Sequence, residues 1–438
     1  MKVAVIGAGL AGSEAAYKIA QAGYKVDLYE MRPEKQTPAH KTPYFAEIVC
    51  SNSFGSESLT SGAGLLKKEM EILGSIILDV AKEFKVPAGQ ALAVDREKFS
   101  KKLTEILENH PNINVIRQEV KTLPDADIIV IATGPLTSEE FSKEIQKITG
   151  SEYLYFYDAI APVVDASTVD FSKGFWADRY GKGTGDYFNC VLSKQEYEIF
   201  YLELLKGEQV PLKDFERAVY FEGCLPIEEI ARRGKETLLY GPMKPVGLID
   251  PKTGKRPYAV VQLRKENIEG TLLSLVGFQT KLKYPEQKRI FSLIPALKDA
   301  EFVKLGSIHR NTFIQSQKLL KPTLQLREKP NILFAGQITG VEGYIASAAT
   351  GIIAGINVVR ILEGKEPLAP PKTTMIGGLI NYITTAKNEL QPMGPNYALL
   401  PELEEKIKGK EERKLKKAEI ALKDIKEWAK EIESAVFI

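Results

Sequence analysis

Lys2-Val3-Ala4-Val5-Ile6-Gly7-Ala8-Gly9-Leu10-Ala11-Gly12 is the stretch that decides the fold of this 438-residue chain. Val3 to Ile6 form a short apolar run of strand-forming residues, which the glycines end. Ala15, Ala16, Ile19 and Ala20 then recur at helical spacing until Gly23, and Lys25-Val26-Asp27-Leu28-Tyr29-Glu30 reads as the next strand. Together these residues spell a complete βαβ unit. Gly7, Gly9 and Gly12 supply the GxGxxG turn, in which missing Cβ atoms let the backbone from Ala8 through Leu10 and Ala11 approach a pyrophosphate at the helix N-terminus. Glu30 ends the second strand, where a carboxylate accepts hydrogen bonds from an adenosine ribose. Sites for FAD, NAD and S-adenosylmethionine can all begin in this way, so the remainder of the chain must separate them.

Further strands are expected at Asn114–Val120 and at Ala126–Ala132, the latter ending in Thr133-Gly134, a strand end typical of flavoproteins. Much later, Asn331–Ala335 is one more apolar strand. It runs into Gly336, Gln337, Gly340 and Gly343, and then a helix rich in small residues from Ile345 to Val359. This second glycine-rich turn would face the flavin side of a cofactor, as in two-domain FAD proteins. An S-adenosylmethionine enzyme would leave it without a purpose. The predicted class is therefore α/β: a Rossmann-like FAD domain of the two-dinucleotide-binding-domain type, assembled from residues 1–150 and 309–380. Residues 151–308 have a different texture, with aromatic and β-branched runs at Tyr153–Tyr157, Tyr258–Leu263 and Leu272–Phe278. They read as an inserted α+β domain that takes substrate. Residues 381–438 form a helical C-terminal segment, in which the charged stretch Leu403–Trp428 is expected to be an amphipathic helix packed on the body.

Composition bounds the chemistry. With 59 basic against 57 acidic side chains, overall charge gives no argument for a polyanionic partner, so any basic surface must be local. Three cysteines, Cys50, Cys190 and Cys224, are too few and too scattered for a disulfide framework. Three histidines, and no CxxC spacing, argue against a metal site. No continuous apolar run reaches the length of a membrane span, and the start lacks signal-peptide character, so a cytoplasmic protein without a membrane role is expected.

Several longer blocks are more specific. They include Tyr29-Glu30-Met31-Arg32-Pro33, Phe45-Ala46-Glu47-Ile48-Val49-Cys50-Ser51-Asn52-Ser53, Phe221-Glu222-Gly223-Cys224-Leu225-Pro226, Gly241–Leu248, His309-Arg310-Asn311-Thr312-Phe313 and Ala335–Tyr344. Over almost its whole length the chain resembles the folate- and FAD-dependent tRNA (uracil-5-)-methyltransferases, relatives of the GidA flavoproteins that modify the tRNA wobble uridine. The resemblance implies methylation of the T-loop uridine, with 5,10-methylenetetrahydrofolate as carbon donor and NADPH or NADH supplying electrons through FAD. It also implies a pair of cysteines, Cys224 as nucleophile toward C6 of uracil and Cys50 as its partner in proton removal or in guarding the flavin. His309, Arg310 and Asn311 are expected at the flavin or folate, His40 along the cofactor channel, and Lys244 and Arg264 at RNA phosphates. The same chemistry on ribosomal RNA, wobble-uridine modification, and a noncatalytic tRNA-binding flavoprotein are the competing readings. Cys190 is expected to be an inert core residue.

Overall fold

The computed structural model describes residues 1–151, 153–211, 220, 225–387 and 389–434, apart from the side chains of 154–156, 433 and 434. Cys224 lies outside the described residues. The first βαβ unit forms as its sequence dictates: strand Val3–Ile6, helix Leu10–Gln21, strand Val26–Glu30. Strands join it on both sides to give a five-stranded parallel sheet in the order Ile332–Phe334, Ile128–Ile131, Val3–Ile6, Val26–Glu30, Ile113–Arg117. A parallel sheet is covered on both faces, which is why its strands are apolar without interruption. Val3 and Val5 enter one core while Ala4 and Ile6 enter another, the alternation of a strand. The sheet draws its strand Ile332–Phe334 from the far end of the chain.

Helix Tyr344–Leu362 lies against helix Leu10–Gln21 at backbone distance. A Cβ on Gly351 would fall 2.2 Å from the carbonyl oxygen of Ala11, and one on Gly355 would fall 2.9 Å from that of Ala15. The run of small residues thus serves close packing, and it brings the N-termini of both helices to the same edge of the sheet. By length and apolar character Tyr344–Leu362 could cross a membrane, although no such run stood out in the sequence. Most of it is buried in the core instead, which accounts for its composition.

The inserted region is built on a six-stranded antiparallel sheet in the order Gly174–Trp176, Tyr187–Leu192, Ala259–Lys265, Leu272–Leu275, Val163–Asp165, Phe302–Lys304. It has a hydrophobic core of its own, which includes Cys190. Strands Leu154–Ala159 and Ile308–Phe313 form an antiparallel ladder where the chain leaves and re-enters the parallel-sheet body. A small three-stranded sheet, Ser53–Ser56, Ala91–Val94 and Lys85–Val86, had no counterpart among the expected strands. Residue 380, the expected end of the cofactor domain, falls inside helix Met375–Thr385. That helix is fixed to the body at its start, where the Glu69 carboxylate accepts the Met375 and Ile376 amide hydrogens at 2.7 and 2.9 Å. Charged helix Lys410–Ser434 turns Ala418, Ala421, Ile425 and Trp428 into the main core, the buried stripe of an amphipathic helix.

Candidate cofactor and thiol site

Every glycine-rich turn named above follows the C-terminal end of a parallel strand, so all of them open at one edge of the sheet. A cavity of about 470 Å³ lies there, within the range of small-molecule sites. Gly7, Gly9, Leu10, Ala11, Glu30, Gly134, Gly336, Gln337 and Gly343 all line it. Cβ atoms placed on Gly9, Gly134 or Gly343 would meet no protein atom within 4 Å. At these three positions the missing side chain leaves room in the cavity. Gly9 and Gly343 are also the N-caps of the two packed helices, and neither helix has a side-chain cap. Ser61, Ser75, Asp95, Ser138 and Ser193 cap other helices by accepting an amide hydrogen. Two helix ends opening on a cavity without such caps offer amide donors and positive dipole ends to an anionic group, so these residues fit FAD.

Other glycines of the same motifs are structural. A Cβ on Gly12 would lie 1.7 Å from the Gly7 carbonyl oxygen, and one on Gly340 would lie 2.7 Å from Leu390. Neither lines the cavity, and Ala8, buried beneath the turn, does not either. The Ala8 amide donates to Glu30 at 3.1 Å, so the acid at the strand end also clamps the first glycine turn. Arg32 donates from its backbone and side chain to the other Glu30 oxygen, at 3.1 and 2.9 Å. Burial alone would raise the Glu30 pKa, but the Arg32 charge and these hydrogen bonds outweigh it and hold the carboxyl below its ordinary value.

Arg32 continues the network by donating to Glu47 at 2.9 Å. Glu47 in turn accepts from the Lys41 and Thr42 amides and from the Thr42 hydroxyl, ordering the loop that carries His40. His40 lines the cavity and its Nδ1 lies 2.6 Å from the Thr37 hydroxyl. Burial, followed by the Arg32 charge, lowers its pKa to about 4, so it is neutral at pH 7.

Cys50 lines the same cavity as the glycine turns. Its backbone is fixed from three directions. The Tyr344 hydroxyl oxygen accepts the amide hydrogens of Cys50 at 2.8 Å and Ser51 at 3.2 Å. Arg96 donates to the carbonyls of Ile48 and Cys50, and Lys304 donates to that of Val49 at 2.9 Å. Arg96 is itself paired with buried Glu266. Burial, reinforced by the Arg96 charge, lowers the Lys304 pKa to about 8. Because Tyr344 directly follows Gly343, the second glycine turn and the thiol loop are mechanically joined.

The expected trio 309–311 divides. Along strand Ile308–Phe313 alternate side chains point to opposite faces, so His309 and Asn311 line the cavity while Arg310 is exposed away from it. His309 Nε2 lies 2.9 Å from the Ser307 hydroxyl, and burial, then the Lys304 charge, lowers its pKa. Asp158, opposite His309 in the ladder, and Glu342 complete this end of the cavity. Gln337 donates to Glu342 at 2.7 Å. Burial, with the Asp158 charge adding to it, pushes the Glu342 pKa up to about 8. Gly394 and Pro395 also line the wall, beside Met393, whose backbone pairs with Gly340 and Glu342. Arg264 does not reach solvent: it is buried, with Nε donating to Asn52 at 3.0 Å. Arg32, Glu47, Tyr344 and Glu342 were visible only as members of longer sequence blocks. Asp158 belongs to none of them and had no signal. Among the described residues no cluster could hold a metal ion.

Two glycine-rich turns meeting over one cavity at the edge of a parallel sheet define a dinucleotide-binding protein of the two-turn kind, the architecture of FAD enzymes. The family model for glucose inhibited division protein A matches residues 2–366, and the chain belongs to that family. Within it, the chain is 98% identical over the full length of both chains to Methylenetetrahydrofolate--tRNA-(uracil-5-)-methyltransferase TrmFO of Sulfurihydrogenibium sp. (strain YO3AOP1). It is 76% identical to the protein of the same name in Persephonella marina, over 98% of each chain. Among solved structures, Aquifex aeolicus GidA in the form I crystal superposes with a TM-score of 0.72 at 18% identity. The match covers 98% of this chain and 76% of that one and shows a shared fold.

Proposed function

We propose that this chain methylates C5 of a uridine in tRNA, the T-loop uridine of the T-arm, with 5,10-methylenetetrahydrofolate as carbon donor, FAD as bound cofactor and NADPH or NADH as reductant. The observation that carries this reading is the junction of a cysteine loop with two glycine-rich turns in one cavity, in a chain whose near relatives bear the name of that reaction. The uncapped helix ends at Gly9 and Gly343 would hold the anionic and flavin portions of FAD, and Glu30 the ribose end. Bound there, FAD would supply the electrons that convert a transferred methylene into a methyl group.

The chain's own groups perform the rest. C5 of uracil is a weak nucleophile until something adds at C6, and a thiolate can add and later leave. We assign that role to Cys224. Cys50 assists removal of the C5 proton after carbon transfer, with Tyr344, Arg96 and Lys304 holding its backbone in place. Neutral His40 and His309 offer hydrogen bonds to a polar ligand without adding cationic charge. We further propose a cytoplasmic location for the reaction.

The test incubates FAD-loaded protein with unmodified tRNA transcript, isotopically labelled methylenetetrahydrofolate and NADPH or NADH, followed by mapping of 5-methyluridine. Label is expected in the T-loop uridine. Label from S-adenosylmethionine, product confined to ribosomal RNA or a wobble uridine, or tRNA binding without product would each overturn the reading. With 5-fluorouridine tRNA, a covalent adduct should form with wild type and Cys50→Ala and be absent with Cys224→Ala. The reverse pattern would exchange the two roles.

A further inference from the structure

In methylenetetrahydrofolate the transferable carbon closes a five-membered ring between N5 and N10, and it becomes an electrophile only when the bond to N10 opens. The electron pair of that bond stays on N10, which needs a proton from a positioned acid. Most titratable groups on the cavity wall are unsuited to that task. Glu30 and Glu47 are salt-bridged to Arg32, and Glu119 to Lys35. His40 and His309 have lowered pKa values and hold no extra proton at pH 7. Burial raises the Tyr344 pKa well above its ordinary value, and its oxygen already accepts the Cys50 and Ser51 amides.

Glu342 differs from all of these. It lines the cavity yet is only 8% exposed. Its backbone is locked, the amide donating to the Met393 carbonyl at 2.8 Å while the Met393 amide donates to that of Gly340 at 3.1 Å. The carboxyl accepts from Gln337 at 2.7 Å, and among the described residues no cation pairs with it. It stands at the start of helix Tyr344–Leu362, whose positive dipole end favours a carboxylate. Burial and the Asp158 charge outweigh that effect and raise its pKa to about 8. At pH 7 the protonated form therefore outnumbers the ionised one about ten to one.

A glutamine here would accept the same Gln337 hydrogen bond without the cost of burying an ionisable group. A carboxyl retained at a cavity wall points instead to use of its proton. The thiol loop borders the same end of the cavity. Tyr344, two residues beyond Glu342, holds the Cys50 and Ser51 amides, and Cys50 Sγ lies 3.8 Å from the carbonyl of Ala159, the neighbour of Asp158. A one-carbon unit delivered to a uracil beside Cys50 thus arrives at the end of the cavity that Glu342 lines. The titratable groups bordering this end are Asp158 and His309 on the two-stranded ladder, Tyr344 on the helix and Cys50 on the thiol loop. The segment 393–395 brings no charge.

We infer that Glu342 is a catalytic acid, the group that protonates N10 of methylenetetrahydrofolate and opens its ring. This inference rests on the proposed function and adds the residue that activates the carbon donor. The Glu342 O–H bond breaks as an N10–H bond forms. The bond from N10 to the methylene carbon breaks with its electron pair left on N10, and the N5 lone pair makes the second bond of an N5=CH2 cation. Neutral acid and neutral folate become carboxylate and cation side by side, and no electron is exchanged with the cofactor. Attack by uracil C5 on the methylene carbon then returns the electron pair to N5. Glu342 regains its proton from solvent before the next turnover.

The experiment compares full-length, FAD-loaded wild type with Glu342→Gln. Single-turnover transfer of labelled carbon from methylenetetrahydrofolate to tRNA should fall about 10²–10⁴-fold in the variant, the contribution of a general acid. Affinity for tetrahydrofolate, read by fluorescence titration, should stay within about threefold, because the amide keeps the bond to Gln337. The ratio of wild-type to variant rates should be constant below pH 7 and fall as pH rises through about 8, where Glu342 loses its proton. Adducts with 5-fluorouridine tRNA give a reading without turnover: labelled folate carbon in the wild-type adduct and none in that of the variant. Urea midpoints at pH 7 should coincide, since the amide has the shape of the protonated acid. Carbon transfer by the variant at a near wild-type rate, a rate ratio independent of pH, or weakened folate binding that accounts for the whole loss would each overturn the assignment. A wild-type protein that takes no label from folate would overturn the proposed function instead.

Discussion

Replacing Gly9 and Gly12 separately distinguishes a glycine that makes room for a ligand from one that makes room for protein. Gly9 has φ −75° and ψ −168°, an extended conformation open to any L residue, and a Cβ there meets no protein atom within 4 Å. Gly9→Val should therefore cost the apoprotein about 1 kcal/mol or less, the loss of a glycine N-cap. The new methyl groups would project into the cavity where the helix end meets the pyrophosphate. Losing two charge-assisted hydrogen bonds there, at about 1.5 kcal/mol each, removes about 3 kcal/mol of binding. That is a roughly 150-fold rise in Kd for FAD. Gly12→Ala has the opposite signature, because its Cβ would lie 1.7 Å from the Gly7 carbonyl oxygen. Its apoprotein should lose about 3 kcal/mol or more through overpacking. The assays are fluorimetric titration of apoprotein with FAD, and urea unfolding of both apoprotein variants. Wild-type FAD affinity in Gly9→Val, or an apoprotein destabilised as much as Gly12→Ala, would refute the reasoning.

Arg32→Met should destabilise the apoprotein by about 3–5 kcal/mol at pH 7, because it leaves Glu30 and Glu47 without their cation in a buried setting. Since Arg32 holds the folded-state pKa of Glu30 below its unfolded value, this contribution is complete above the unfolded pKa of about 4.3 and fades as pH falls through the folded value. Urea midpoints from pH 7 to 3 measure it, and a loss under about 1 kcal/mol at pH 7 would count against the network. Glu342 has the opposite sign, with a folded-state pKa raised to about 8. Its stabilising contribution is complete below the unfolded value and is lost as pH rises toward 8. Glu342→Gln should accordingly flatten the pH dependence between 5 and 9 and be the more stable form at pH 9, by on the order of 2 kcal/mol. Superimposable pH profiles for variant and wild type would contradict the burial of an ionisable carboxyl there.

Local sequence determined the elements whose signal is itself local. The βαβ unit from Lys2 to Glu30, the buried strand ending at Thr133-Gly134 and the late strand before Gly336 are fixed by apolar runs and glycines at short range. The burial of Cys190 and the packing of the charged C-terminal helix were also legible, from composition and periodicity. Tertiary structure alone decided which motif residues face the cavity. Gly9 and Gly12 belong to one motif, yet only the first opens on the cavity, because the second is pressed against the carbonyl of Gly7. His309 and Arg310 are neighbours in sequence and lie on opposite faces of a strand. Lys244 and Arg264 are both cations, but one reaches the surface while the other is consumed by Asn52 inside the protein. The clamp on Cys50 joins residues 50, 96, 304 and 344: Tyr344 is separated from the thiol by the entire inserted region, and Lys304 comes from the edge strand of that region's own sheet. Such contacts follow from chain crossings between elements, and the short-range periodicity that a single sequence displays carries no record of them.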